Sequence, residues 1–97
     1  MNPSFLSQAR ELKSKLDQAQ KELSNTIVEA SSGKGAVKVT ITGQQKLQSI
    51  KISPQVINPD QAEVLEKLVL TAVSEAIAKS QKVAAKCLGG IKFPGLT

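Results

Sequence analysis

The sequence predicts an α+β subunit of order helix–strand–strand–strand–helix, with a three-stranded antiparallel sheet and two long helices. Three observations carry that reading. Apolar residues recur at helical spacing from Phe5 to Leu23. They alternate strictly over residues 37–42. They recur at helical spacing again beyond a capped start at Asn58.

The first helix opens with Asn2 as its cap and Pro3 at the first helical position. Its apolar residues Phe5, Ala9, Leu12, Leu16, Ala19 and Leu23 are spaced 4, 3, 4, 3 and 4 apart. That is a heptad seam, narrower than the stripe of a helix that only covers a core. Gln8, Arg10, Glu11, Lys13, Lys15, Asp17, Gln18, Lys21 and Glu22 form a solvated face of mixed charge. Ser24 and Asn25 are poor interior residues, so the helix ends near them.

Residues 26–30 are rich in β-branched side chains and predict the first strand, and Ser31-Ser32-Gly33-Lys34-Gly35 predicts a turn. Over 37–42, Val37, Val39 and Ile41 share one face, while Lys38, Thr40 and Thr42 share the other. Gly43-Gln44-Gln45 turns the chain into a third strand at 47–53. There Ile50 and Ile52 point inward and Ser49 and Lys51 outward. Leu47 has the wrong parity for that inner face, which predicts a bulge. Pro54 stops the strand.

The long helix spans 59–88. Asn58 caps it, Pro59 takes the first helical position, Asp60 puts an acid in the first turn, and Gln61 occupies the capping-box position. Its stripe is Leu65, Leu68, Val69, Ala72, Val73, Ala76, Ile77, Val83, Ala84, Cys87 and Leu88, and Gly89-Gly90 ends it. Residues 1–88 thus form one domain. Residues 89–97 form a Gly/Pro-containing tail in which Phe93, Pro94 and Leu96 offer a small apolar grip.

Composition narrows the function. Of 97 residues, 40% are hydrophobic and 22% charged, the balance of a globular domain. The aromatics are Phe5 and Phe93 alone, so the core is aliphatic. There is no histidine, which removes the commonest general base and zinc ligand. The single cysteine, Cys87, allows no intrachain disulfide and suits a reducing compartment. No segment approaches the roughly 20 apolar residues of a membrane span, and the N-terminus has no signal-peptide pattern. A cytoplasmic protein without membrane attachment is expected. No nucleophile–base pair, carboxylate pair or metal cluster is recognisable, so no enzyme activity, cofactor or small-molecule substrate is expected.

Geometry points to a homodimer. A helix over 59–88 is about 45 Å long, whereas strands of six residues reach about 20 Å. Both helices overhang the sheet, and the overhangs carry Leu12, Leu16, Val83 and Leu88. A monomer would leave these in water. A twofold dimer covers them.

The run Gly35-Ala36-Val37-Lys38-Val39-Thr40-Ile41-Thr42-Gly43, then Leu47, then Ile50-Lys51-Ile52-Ser53-Pro54, resembles the strand signature of the YbaB/EbfC nucleoid-associated proteins. Leu65-Glu66-Lys67-Leu68-Val69 and residues 72–76 are similar to the start of that family's long helix, and the tail with Pro94-Gly95 fits as well. The likeness covers nearly the whole chain. It implies an intertwined, tweezer-like homodimer with two helical arms. It also implies binding of double-stranded DNA in the bacterial nucleoid, with weak sequence preference or none and no catalysis.

The charge distribution can be weighed against that expectation. The net charge of +5 and a pI of about 9.6 suit an anionic partner. Residues 58–78 are net −3 and residues 79–97 net +4. Lys79, Lys82 and Lys86 fall on one side of the helix, beside its apolar stripe. They read equally as a phosphate-contacting strip or as lysines offsetting the helix dipole, with Glu75 placed to pair with Lys79. The resemblance favours the strip. Lys92, Arg10 and Lys13 complete the candidate DNA-binding set. Arg10 is the sole arginine, which leaves little scope for bidentate guanine readout and favours phosphate contact. Lys38 and Lys51 on the outer sheet face read as a phosphate surface or, more simply, as lysines that discourage edge pairing. No aromatic residue lies in any predicted strand, which counts against base-stacking readers of single strands or RNA. Cys87 reads as a small hydrophobe, since no histidine can activate it. The alternative from another class is a protein-interaction dimer whose basic strips meet an acidic partner.

Overall fold

The computed structural model describes residues 3–89. It shows the expected order: α1 (Pro3–Asn25), β1 (Ile27–Ser32), β2 (Val37–Thr42), β3 (Leu47–Ile52) and α2 (Ala62–Gly89). The strands form an antiparallel meander, β1-β2-β3. The cap at Asn2, the helix stop at Gly90, the apolar grip of the tail and the candidate Lys92 lie outside the described residues.

Val37, Val39 and Ile41 are fully buried, and with Ala30, Ala72 and Ala76 they form the core. Period-two alternation on β2 delivers three large side chains to one face. Alanines at 72 and 76, one helical turn apart, let α2 lie close on β1 and β2.

The first strand runs Ile27–Ser32 rather than 26–30, so the turn is shorter than expected. Ser31 and Ser32 stay in the ladder opposite Lys38 and Val37, and the Ser32 hydroxyl donates to the carbonyl of Leu68 at 2.6 Å. Lys34 and Gly35 take φ of 58° and 88°, and Ala36 N–H closes on the Gly33 carbonyl at 3.2 Å. Positive φ at both central residues is the type I′ geometry that matches strand twist.

The expected bulge is present. Thr40 faces Ser49 while Ile41 faces Leu47, which leaves Gln48 as the extra residue. Register places Ile50 and Ile52 opposite Val39 and Val37, on the inner face. Ile50 is nonetheless 45% exposed, because α2 packs chiefly on β1 and β2 and reaches β3 only near Ile52.

Thr42 departs from expectation. The alternation puts it on the outer face, but it is buried. Its hydroxyl accepts from the N–H groups of Gln44 and Lys46, both at 3.2 Å. Its carbonyl accepts from the hydroxyl of buried Ser80 at 2.7 Å. At the end of a strand, the closing turn rather than the pleat decides which way a residue is covered. Next to it, Gly43 N–H donates to the carbonyls of Leu23 and Thr26, both at 3.0 Å. A Cβ on Gly43 would stand 2.9 Å from the Leu23 carbonyl oxygen and 2.8 Å from Leu23 Cδ2. Gly43→Ala therefore pushes the end of α1 off the sheet. It is expected to cost about 1–3 kcal/mol, read as a lower urea midpoint with an unchanged slope.

Asn58 caps as expected: its side-chain oxygen accepts from Asp60 N–H at 3.0 Å. The first turn after it, Pro59–Gln61, is 3₁₀, and the α-helix proper begins at Ala62. A second 3₁₀ turn, Pro54–Val56, follows β3.

The molecule measures 68 × 21 × 18 Å, with a radius of gyration of 19.3 Å. A compact chain of this length has a radius of about 12–13 Å. The excess is the helical overhang. There α1 and α2 lie against one another, with the Cys87 thiol facing the Ala19 carbonyl at 3.8 Å. Leu16, Val83 and Leu88 are consequently half-buried, and Leu12, further out on α1, is half-buried as well; none is left in water as expected of a single subunit. The bare apolar side chains lie elsewhere. They include Phe5, Leu6 and Ile27, and Leu47, Ile50, Ile57, Val64 and Leu70 around β3 and the start of α2.

Candidate nucleic-acid interface

The basic side chains of α2 sit on its second half. Glu75 is the last acid of the helix, and Lys79, Lys82 and Lys86 follow, all exposed. Their spacing keeps them within about 60° of arc at 3.6 residues per turn. Lys79 does not pair with Glu75. Its ammonium donates to the backbone carbonyl of Glu29 on β1 at 3.2 Å, fastening the strip to the edge of the sheet. Among the described residues, no carboxylate pairs with any of the three. The only salt bridge there is Lys15–Glu11 at 4.0 Å, on exposed side chains, where such pairs contribute little.

Arg10 and Lys13 lie further out. The Cys87–Ala19 contact sets the end of α2 beside the middle of α1. Lys13 and Arg10 are then roughly 9 and 14 Å beyond that level, and Lys79 about 12 Å on the sheet side of it. The candidates thus string along an arm over about 25 Å, close to seven base pairs at 3.4 Å each. Arg10, Lys13 and Lys21 border one shallow recess of about 430 Å³, with Ser14, Asp17 and Gln18. Asp17 in that recess weakens the field of the three cations.

Cys87 sits between the helices, its thiol 3.7 Å from a Glu22 carboxylate oxygen. Desolvation raises its pKa, and the Glu22 charge and hydrogen bond raise it further. The thiol therefore stays protonated at neutral pH and is a poor nucleophile. Among the described residues, no three His, Cys, Asp or Glu side chains gather as a metal site, and no helix is long and apolar enough to cross a membrane.

Two features escaped the sequence reading. Ser80 is fully buried within the apolar stripe. Its position four residues after Ala76 was the available signal, masked by its polarity. The second is a groove of about 590 Å³ lined by Ile52, Ala62, Leu65, Glu66, Val69, Leu70 and Val73, where β3 and the start of α2 leave apolar surface uncovered.

Known proteins resemble this chain over nearly its full length. A protein from Roseiflexus sp. (strain RS-1) named nucleoid-associated protein is 40% identical, with 98% of this chain and 99% of that one aligned. One of the same name from Moorella thermoacetica is 46% identical over 78% of this chain and 77% of its own. The crystal structure of the uncharacterized protein HP0035 from Helicobacter pylori shares the fold, with a TM-score of 0.77 at 21% identity, over 92% of this chain and 94% of that one. The model of the YbaB/EbfC DNA-binding family matches residues 1–95. The chain therefore belongs to the YbaB/EbfC family of nucleoid-associated, non-enzymatic DNA-binding proteins.

Proposed function

We propose that the protein binds duplex DNA as a twofold homodimer through phosphate contacts from Lys79, Lys82 and Lys86, with Arg10, Lys13 and Lys92 adding to them. The observation that carries this is the second half of α2. From Ala76 to Gly89 it holds three lysines on one side and no acid. Lysines without a carboxylate partner retain their charge for phosphate. The sole arginine leaves base readout poorly supplied, which fits binding with little sequence preference.

The dimer reading rests on the uncovered apolar surface. β3 is an edge strand with Leu47 and Ile50 about half exposed, beside the groove under Leu65, Val69 and Val73. A second copy of the chain fills such a groove and removes the open edge. Two subunits then present two lysine strips.

A titration of random duplex at several salt concentrations tests the reading, on protein whose oligomeric state is measured in parallel. The six strip lysines of the dimer by themselves contribute about −5 to the slope of log K against log salt, at least a thousandfold weakening between 50 and 200 mM. A slope near zero, or no binding at micromolar protein, overturns it and favours an acidic protein partner.

A further inference from the structure

The outer face of the sheet carries a second basic cluster, on the layer opposite α2. Register puts Ser31, Lys38 and Lys51 side by side across the three strands, and Glu29, Thr40 and Ser49 in the next row. Lys38 and Lys51 are directly opposed and both exposed. Like charges in that position destabilise a sheet. Glu29 is the one acid in these two rows. It stands opposite Thr40, and it pairs with neither lysine. Protection of an open edge accounts for Lys51 on β3. It does not account for Lys38, which lies on the central strand where no edge exists. The Thr40 and Ser49 hydroxyls bond to each other, so one proton of that pair is free to donate outward.

We propose that this sheet face holds the phosphate backbone of a second duplex, so that the protein bridges two DNA segments, one along the helical arms and one across the sheet. The inference rests on the DNA-binding reading above. Ammonium and hydroxyl groups are the donors that protein surfaces use on phosphates. A bound phosphate supplies the anion that the opposed lysines lack. Because Lys38 and Lys51 sit on the face turned away from α2, a duplex held there need not compete with one held by Lys82 and Lys86.

The test is a capture assay with the full chain. A biotinylated random duplex is fixed to beads, and carry-over of a second, fluorescent duplex is measured. Wild-type protein is expected to retain the second duplex. Lys38→Glu/Lys51→Glu should bind the first duplex within about twofold of wild type and retain less than a fifth as much of the second. Lys38→Glu alone sets an acid opposite Lys51, which favours the fold, and should give an intermediate loss. If the double variant carries over as much as wild type, these lysines are not the second contact. If it loses the first duplex in parallel, the sheet belongs to the primary site, and the proposal fails. Wild type that binds the first duplex without retaining a second overturns bridging and leaves the DNA-binding reading standing. Wild type that binds neither overturns both.

Discussion

Replacing Lys79, Lys82 and Lys86 together by glutamate is expected to lower affinity for random duplex at least a hundredfold at 0.1 M salt, while the dimer persists. Each neutralised phosphate contributes about 0.9 to the salt slope, so loss of three contacts in each of two subunits removes about 5 units of it. Affinity and slope should fall together, which separates lost phosphate contacts from general unfolding. The substitutions are exposed, and α2 is anchored chiefly by Ala72, Ala76 and Ser80; the one tie lost is the Lys79 bond to the Glu29 carbonyl. The acid at position 86, in the last turn of α2, does oppose the helix dipole, at about 0.3–1 kcal/mol. Glutamine at the same positions is the control, since it removes charge without adding the opposing one. Its slope should flatten nearly as much. Arg10→Gln/Lys13→Gln should have a smaller effect, because Glu11 and Asp17 already dilute that part of α1. Full affinity in the glutamate variant would move the interface off α2.

How far the sequence discloses this molecule depends on the range of the force that sets each feature. Alternation at Val37, Val39 and Ile41 reveals the core strand, because the pleat is local and the burial follows it. The bulge at Gln48 was legible for the same reason: Leu47 broke the parity that Ile50 and Ile52 set. Thr42 was not legible, because its burial comes from the turn beyond it and the end of α1, both distant in the pattern. Ser80 was hidden by chemistry rather than distance. A serine in a stripe reads as an interruption until the Thr42 carbonyl that receives its hydroxyl is located. Among the lysines, the common side of 79, 82 and 86 follows from helix periodicity. The anchoring of Lys79 to Glu29, fifty residues earlier in the chain, does not. The opposition of Lys38 and Lys51 depends on turn length and on the bulge, so it too waited for the register.

The groove near β3 leads to the second large effect. Ile50→Glu is expected to leave the isolated subunit folded and to raise the dimer dissociation constant by at least two orders of magnitude. Ile50 is 45% exposed on one chain and lies on the strand that α2 reaches only near Ile52. A charge there stays largely hydrated in a monomer, and the lost cross-strand contact with Val39 costs about 1 kcal/mol. Burial against a partner strips that hydration, and an unpaired carboxylate in an interface opposes association by several kcal/mol. The contrast between the two states is the measurement. Sedimentation velocity across a range of concentrations should show monomer where wild type shows dimer, with the far-ultraviolet circular dichroism of both alike. Leu70→Glu, at a residue 67% exposed and lining the same groove, should act in the same direction. DNA binding then reports on the coupling. A lone subunit offers one lysine strip instead of two, so the salt slope should drop to about half its wild-type value at protein concentrations where the variant is monomeric. An Ile50→Glu protein that remains dimeric would place the interface on another surface, with the half-exposed Phe5 and Leu6 end of α1 next in line.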